Sequence, residues 1–268
     1  MKNKNTGFIL RMIVAWLSYI PLGFLIVESS GFNAFYETLS LSDSILRFYI
    51  TENTFDLAFM GILSIVLFIL IINRFKYTKE THFNVTKTTK IIILASISLA
   101  ILGMIAEVTL NGSNHSIHDY IGEFLKQLLW VGLVEELIFR GFIFISLLKL
   151  KTSEFKVIHI VLLSAFMFSI IHLPVFFLYN DSFNVLSILW RLLFPLAIGV
   201  LYAYLLYMNK DIISLIFIHA TSNMISNFSG ISGLLLVLIF WVGLIAYTVQ
   251  SYKTFKHHQA TEQQIIQS

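Results

Sequence analysis

Apolar residues in this chain fall in long unbroken runs rather than in the spaced pattern of half-buried elements. The runs cover Phe8–Val27, Phe55–Ile72, Ile91–Leu110, Phe124–Leu148, Val157–Leu178, Val185–Met208, Ile212–Phe228 and Ile231–Tyr247. A helix needs about 17–25 residues to cross the hydrocarbon of a bilayer, and most of the runs reach that length. None alternates with period two, as a strand of an outer-membrane barrel would. The first is too long for a signal peptide and is followed by no small-residue cleavage site. The pattern predicts an all-α polytopic membrane helix bundle of eight spans. The seventh, short and polar at its C-terminal end, is expected to be tilted or half-buried.

The polar positions between the runs set an orientation. Bases occupy every second connection: Lys2, Lys4 and Arg11; Arg74, Lys76, Lys79, Lys87 and Lys90; Lys149, Lys151 and Lys156; Lys210; Lys253 and Lys256. The intervening connections carry Glu28, Glu37, Asp43, Glu52, Asp119, Glu123 and Asp181, with Arg47 as their one base. Lys and Arg are retained on the cytoplasmic side, so both termini are expected there. No repeat or Pro/Gly-rich linker interrupts the chain. Residues 1–252 read as one transmembrane domain, and 253–268 as a polar cytoplasmic tail, expected to be disordered.

Composition sharpens this picture. Of 268 residues 57% are hydrophobic and only 12% charged, about half the charge of an average soluble domain; mean hydropathy is +0.82. A soluble enzyme is excluded, because so much apolar surface would stand in water. There is no cysteine, which removes thiol nucleophiles, disulfides, cysteine zinc sites and iron–sulfur clusters. The net charge of +3 lies in alternate loops, where it reports topology and not a nucleic-acid patch. Few Pro and Gly and many Ile, Asn, Lys and Phe suggest an AT-rich genome and a bacterial plasma membrane.

An ionisable side chain at mid-membrane costs at least about 2.5–3.5 kcal/mol on insertion scales, so each is a functional candidate. The runs contain Glu107, Glu135, Glu136, Arg140, His172, Arg191 and His219, with Asn223 as a notable amide. Glu136 and Arg140 stand four apart and can pair on one helix face. Glu135 is turned about 100° away. His219 and Asn223 are also four apart. A carboxylate, two imidazoles and an amide on three helices can activate water and hold an oxyanion; a buried structural network of the charged residues is the alternative.

Three motifs stand in order: Glu135-Glu136-x-x-x-Arg140, Phe168-x-x-x-His172 and His219-x-x-x-Asn223. The chain thereby resembles the CAAX prenyl protease and bacteriocin-processing (CPBP, or ABI) family of intramembrane proteases, over about Phe124–Phe228. Gly199 and the short Met208–Asp211 connection also fit that pattern. The resemblance implies peptide-bond hydrolysis, with Glu135 and His172 activating water and His219 and Asn223 polarising the carbonyl. Glu136 and Arg140 are left as a structural ion pair. Two cofactor readings stand side by side. A divalent metal such as zinc would be held by Glu135, His172 and His219, with an open position; a metal-free glutamate mechanism uses the same residues. The expected partners are membrane lipid and a peptide or protein substrate. In a bacterium, where prenylated proteins are not the expected substrate, that would be a peptide or bacteriocin precursor. A non-catalytic scaffold or self-immunity protein of the same fold is the alternative. A solute transporter would show two related halves, and none is visible.

Other polar features read as structural. Gly230-Ile231-Ser232-Gly233 resembles the rhomboid serine motif, but only His257 and His258 follow, in the tail. Glu107 and Arg191 are expected to form an interhelical ion pair, and His115 and His118 to lie solvated in a loop beside Asp119.

Overall fold

A computed structural model describes residue 83 and residues 85–112, 115–149, 156–173 and 184–267. The predicted spans Phe8–Val27 and Phe55–Ile72 lie outside the described residues, as do Pro174 and the end of the fifth run. Among the described residues all regular structure is helical: α1 Lys87–Leu110, α2 Ile117–Lys126, π1 Gln127–Gly132, α3 Leu133–Glu136, π2 Leu137–Phe144, α4 Ile145–Lys149, α5 Val157–Ile170, α6 Val185–Asn209, α7 Ile212–Ile225 and α8 Gly230–Gln267. An isolated bridge joins Phe83 to Asp211.

The helix starts follow local chemistry. Thr86 caps α1 by accepting from the Thr89 backbone N–H, while Thr89 Oγ1 accepts from the Thr86 N–H. Ser116 and Asp119 form the same reciprocal box at α2. Asp211 caps α7, accepting from the Ser214 backbone N–H at 3.0 Å and from Thr89 Oγ1 at 2.7 Å, which ties α1 to α7. α1 buries only Thr89, Ser96, Ala100 and Gly103 and turns Ile91, Leu94, Ile101 and Leu102 outward. Small residues inward and large apolar ones outward is the pattern of a helix in lipid, where close backbone approach holds neighbours together.

α1, α6 and α8 are long and apolar enough to cross a membrane, and the chain is a multi-pass membrane protein. The fifth and seventh runs are shorter than expected as helices. α5 and α7 have 14 residues each, ~21 Å at 1.5 Å per residue, short of the roughly 30 Å hydrocarbon core. The final run is longer than expected: α8 continues through Lys253 and Lys256 to Gln267, so the segment read as a disordered tail is helical. The fourth run is not a uniform α-helix, since two π-wound stretches, π1 and π2, flank the acidic pair on α3. Wide π winding occurs mostly as bulges near functional sites.

By contacts the described chain divides into two compact units. One comprises residues 133–203: α3, π2, α4, α5 and most of α6. The other comprises 82–132 and 204–268: α1, α2, π1, the end of α6, α7 and α8.

Candidate active site

In the first unit the sequence-predicted ion pair is present. Arg140 Nη1 lies 3.1 Å from Glu136 Oε1, with side chains 1% and 0% exposed. Two aromatic rings take up further faces of the guanidinium, Phe168 at 4.1 Å and Tyr202 at 5.4 Å from Arg140 Cζ. Phe168 is itself wedged edge-on against Phe139 at 5.1 Å. Gly199 explains how α6 closes on this cluster. A Cβ there would stand 3.0 Å from Ala165 Cα and 3.3 Å from the Phe168 ring, so a larger residue would push α6 away from Phe168. Glu135, one residue before the buried Glu136, is half-buried. The carboxylate bound by Arg140 is thus the inaccessible one, and Glu135 is the more accessible of the two.

His172 does not sit within a continuous fifth span. α5 ends at Ile170, with Ile171 as its C-cap, and His172 follows just beyond. A helix end leaves its last carbonyls without intrahelical partners, and His172 uses one of them: its Nδ1 lies 2.9 Å from the Phe168 carbonyl oxygen. A carbonyl only accepts, so Nδ1 carries the hydrogen, and in the neutral ring Nε2 is the basic nitrogen. The imidazole also packs edge-on against the Phe168 ring, 4.9 Å between centroids. One residue, Phe168, therefore holds both Arg140 and His172.

His219 and Asn223 lie in the second unit, both on α7. His219 is buried, and Asn223 is half-buried. Asn223 Nδ2 donates to Gln127 Oε1 at 3.0 Å, and Gln127 Nε2 donates to Glu123 Oε1 at 2.8 Å. Asn227 Nδ2 reaches the same carboxylate oxygen at 3.3 Å, and Lys126 pairs with Glu123 Oε2. The chain of bonds fixes the amide orientations. An ionised carboxylate accepts only, so Gln127 must turn its NH2 to Glu123 and its oxygen to Asn223, and Asn223 must present its NH2. Gly132 lets π1 approach α7: a Cβ there would stand 3.0 Å from the Ile216 carbonyl oxygen. The sequence pattern placed Glu123 among the acidic connections and did not single out Gln127. The signal was their i,i+4 spacing.

The structure thus brings Glu136, Arg140 and His172 together around Phe168, and sets Asn223 on Gln127; Glu135 and His172 belong to one unit, His219 and Asn223 to the other. Among the described residues no three His, Cys, Asp or Glu side chains form a metal-holding group.

The remaining polar features are structural, with one correction. Glu107 accepts from Asn111 Nδ2 at 2.6 Å and from Ser229 Oγ at 2.7 Å. His118, expected in a loop, lies inside α2; His115 remains exposed, 4.0 Å from Asp119. Ser232 of the rhomboid-like tetrapeptide bonds to the Ser229 carbonyl and accepts from Asn111 Nδ2, a helix-start role. Asp119 is held below the usual carboxylate range, first by the Ser116 backbone N–H and then by the Ser116 hydroxyl.

Neither a curated protein nor a solved structure matches the chain significantly. One family model does: type II CAAX prenyl endopeptidase Rce1-like, over residues 118–225, a segment that contains all three motifs. The resemblance to the CAAX prenyl protease and bacteriocin-processing family is thereby supported over those residues.

Proposed function

We propose that the chain is an intramembrane endopeptidase that hydrolyses a peptide bond in a membrane-associated protein or peptide precursor, in a bacterial plasma membrane with both termini cytoplasmic. Glu135 acts as general base: its carboxylate takes a proton from water as the water oxygen bonds to the peptide carbonyl carbon. His172 orients that water through Nε2. His219 and Asn223 Nδ2 donate to the oxyanion that forms. The C–N bond then breaks, and the leaving amine takes its proton back from Glu135, giving a carboxylic acid and an amine.

The observation that carries this reading is the ion pair between Arg140 and Glu136. It supports a structural role for the buried carboxylate of the acidic pair and the base role for the more accessible Glu135. The tautomer of His172 and the NH2-forward orientation of Asn223 support the roles given to them. The match to a prenyl endopeptidase family supports peptide hydrolysis over a purely structural use of the same residues.

The test uses the full chain purified in detergent, with a quenched reporter peptide. Glu135→Gln should be as abundant and as thermally stable as the parent and should cleave at least ~10²-fold more slowly, as loss of a general base does. A Glu135→Gln variant that cleaves nothing yet retains the full biological effect would replace the protease reading with the scaffold or self-immunity reading. With Glu135 as base, a strong zinc chelator should leave the rate unchanged. Loss of activity on chelation, restored by added zinc, would move the chemistry to a metal held by Glu135, His172 and His219.

A further inference from the structure

Four polar side chains join α7 to the junction of α2 and π1 as a ladder. Asn223 and Asn227 stand four apart, and so do Glu123 and Gln127. Asn223 Nδ2 donates to Gln127 Oε1 at 3.0 Å, and Asn227 Nδ2 donates to Glu123 Oε1 at 3.3 Å. Gln127 Nε2 links the two rungs by donating to Glu123 Oε1 at 2.8 Å. The other carboxylate oxygen, Oε2, pairs with Lys126. Glu123 thus receives two amides on one oxygen and an ammonium on the other. Glu123, Lys126, Gln127 and Asn223 are half-buried, and Asn227 is exposed.

A side-chain amide has a weakness as an oxyanion donor. Its oxygen and nitrogen are nearly the same size, and χ2 of Asn is roughly two-fold. Packing therefore does not choose between the NH2 and the carbonyl oxygen; hydrogen bonds do. Turned over, Asn223 would set an oxygen lone pair against the oxyanion and repel the charge. Gln127 does not decide the matter alone, because it is an amide and turns over in the same way. Two amides in series have two consistent settings, each the reverse of the other. The series needs an end that has only one sense. Glu123 is that end, since an ionised carboxylate accepts with both oxygens. Lys126 balances its charge, so the direction passes to Asn223 without a bare negative charge beside the amides.

We infer that Glu123 is a positioning residue for hydrolysis: acting through Gln127, it holds Asn223 with the NH2 turned to the oxyanion. The inference rests on the oxyanion role proposed above for Asn223. One hydrogen of Asn223 Nδ2 goes to Gln127, and the other remains for the substrate oxygen. Direction separates this role from a bond that merely ties α2 to α7. Glu123→Gln keeps the size of the side chain but gives it one accepting and one donating end. Lys126 takes the oxygen, the NH2 turns to Gln127, and the ladder runs in reverse. Combining Glu123→Gln with Gln127→Glu restores the direction, because the carboxylate, now one step nearer, accepts both from Asn223 and from the amide behind it.

Full chains in detergent are assayed with the reporter peptide, taking kcat and KM separately, and the same chains carrying 15N-Asn and 13C-Gln are examined by solid-state NMR. Glu123→Gln should lower kcat about tenfold, part of the ~10²–10³ lost with an oxyanion donor, with KM little changed. Adding Gln127→Glu should recover most of that loss. If that chain does not fold, Glu123→Gln with Lys126→Met gives a second route. Without the ammonium the amide returns its oxygen to Gln127 and Asn227, and kcat should rise above that of Glu123→Gln alone. Transfer from Asn223 15Nδ2 to Gln127 13Cδ should be present in the parent, weaken in Glu123→Gln and return with Lys126→Met. Parent kcat in Glu123→Gln, or no recovery in either double variant, would overturn the inference. The two possible failures look different. Parent-rate cleavage by Glu135→Gln defeats the hydrolysis reading and leaves the transfer as expected. An unchanged transfer in Glu123→Gln defeats the role of Glu123 and leaves Glu135→Gln inactive.

Discussion

Glu136→Gln should damage folding before it damages chemistry, and the structure gives the size of the effect. The pair with Arg140 is 0% and 1% exposed, so removing the carboxylate leaves a guanidinium buried with no counter-charge from that residue. Breaking a buried pair from one side costs roughly 3–5 kcal/mol. Phe168 at 4.1 Å and Tyr202 at 5.4 Å still offer their faces to the cation, a contact worth about 2 kcal/mol when desolvated. The loss should then fall at the low end, about 3 kcal/mol, which is roughly a 150-fold fall in the folded-to-unfolded ratio. Reversible unfolding in mixed micelles measures it, with reporter cleavage followed on the fraction that remains folded. Replacing both partners, as in Glu136→Leu with Arg140→Met, should return most of the lost stability, because the buried charge is gone as well. A Glu136→Gln variant as stable as the parent but unable to cleave would refute the assignment. If Glu135→Gln also cleaved normally, the two carboxylates would have to exchange roles.

Three further outcomes follow from named contacts. Gln127→Leu removes the acceptor that orients Asn223; it should lower kcat about tenfold, a fraction of the ~10²–10³ lost with an oxyanion donor, with KM little changed. In an Asn223→Ala background it should add nothing, and full additivity would show that the two residues act separately. Solid-state 15N spectra at mildly alkaline pH should show His172 protonated at Nδ1 and bare at Nε2; the opposite tautomer would contradict the bond to Phe168. Asp119 has a lowered pKa in the folded chain, so its stabilisation of the first turn of α2 is complete above the ordinary carboxylate value of about 3.9 and is lost as pH falls through the lower folded value. Ser116→Ala, by removing the hydroxyl donor, should raise the Asp119 pKa toward that ordinary value in an NMR titration, and an unmoved titration would dismiss the capping box as its cause.

What could be read from the sequence was whatever depends on neighbours within about a turn, or on the solvent the whole chain requires. The apolar runs announced membrane helices because lipid demands continuous hydrophobic length. The pairing of Glu136 with Arg140 was legible because four residues on one helix bring the two groups together under α or π winding alike. Two kinds of feature escaped: local winding that residue type does not set, and contacts with partners remote in sequence. The π winding around α3 is a local form that no residue in Gln127–Gly132 or Leu137–Phe144 dictates by type. The Asn223–Gln127 bond joins positions 96 apart, and Glu107 spends its carboxylate partly on Ser229, 122 residues away. The end of α5 at Ile170 was missed because the hydrophobic run continues past it, and hydrophobicity does not distinguish a helix from the turn that follows.

Phe168 shows how a motif can be recognised without its physics being read. In the sequence it is only the start of a three-residue gap before His172. In the fold the ring braces Arg140, and through it Glu136, while the carbonyl fixes the hydrogen on His172. The spacing of four is the reach from a ring nitrogen back to the carbonyl at a helix end. These two functions are separable, because one belongs to the side chain and the other to the backbone. Phe168→Leu should therefore weaken the fold around Arg140 while leaving the tautomer of His172 in place. A variant that kept full stability but lost the Nδ1 proton would mean that the ring, and not the carbonyl, orients the histidine.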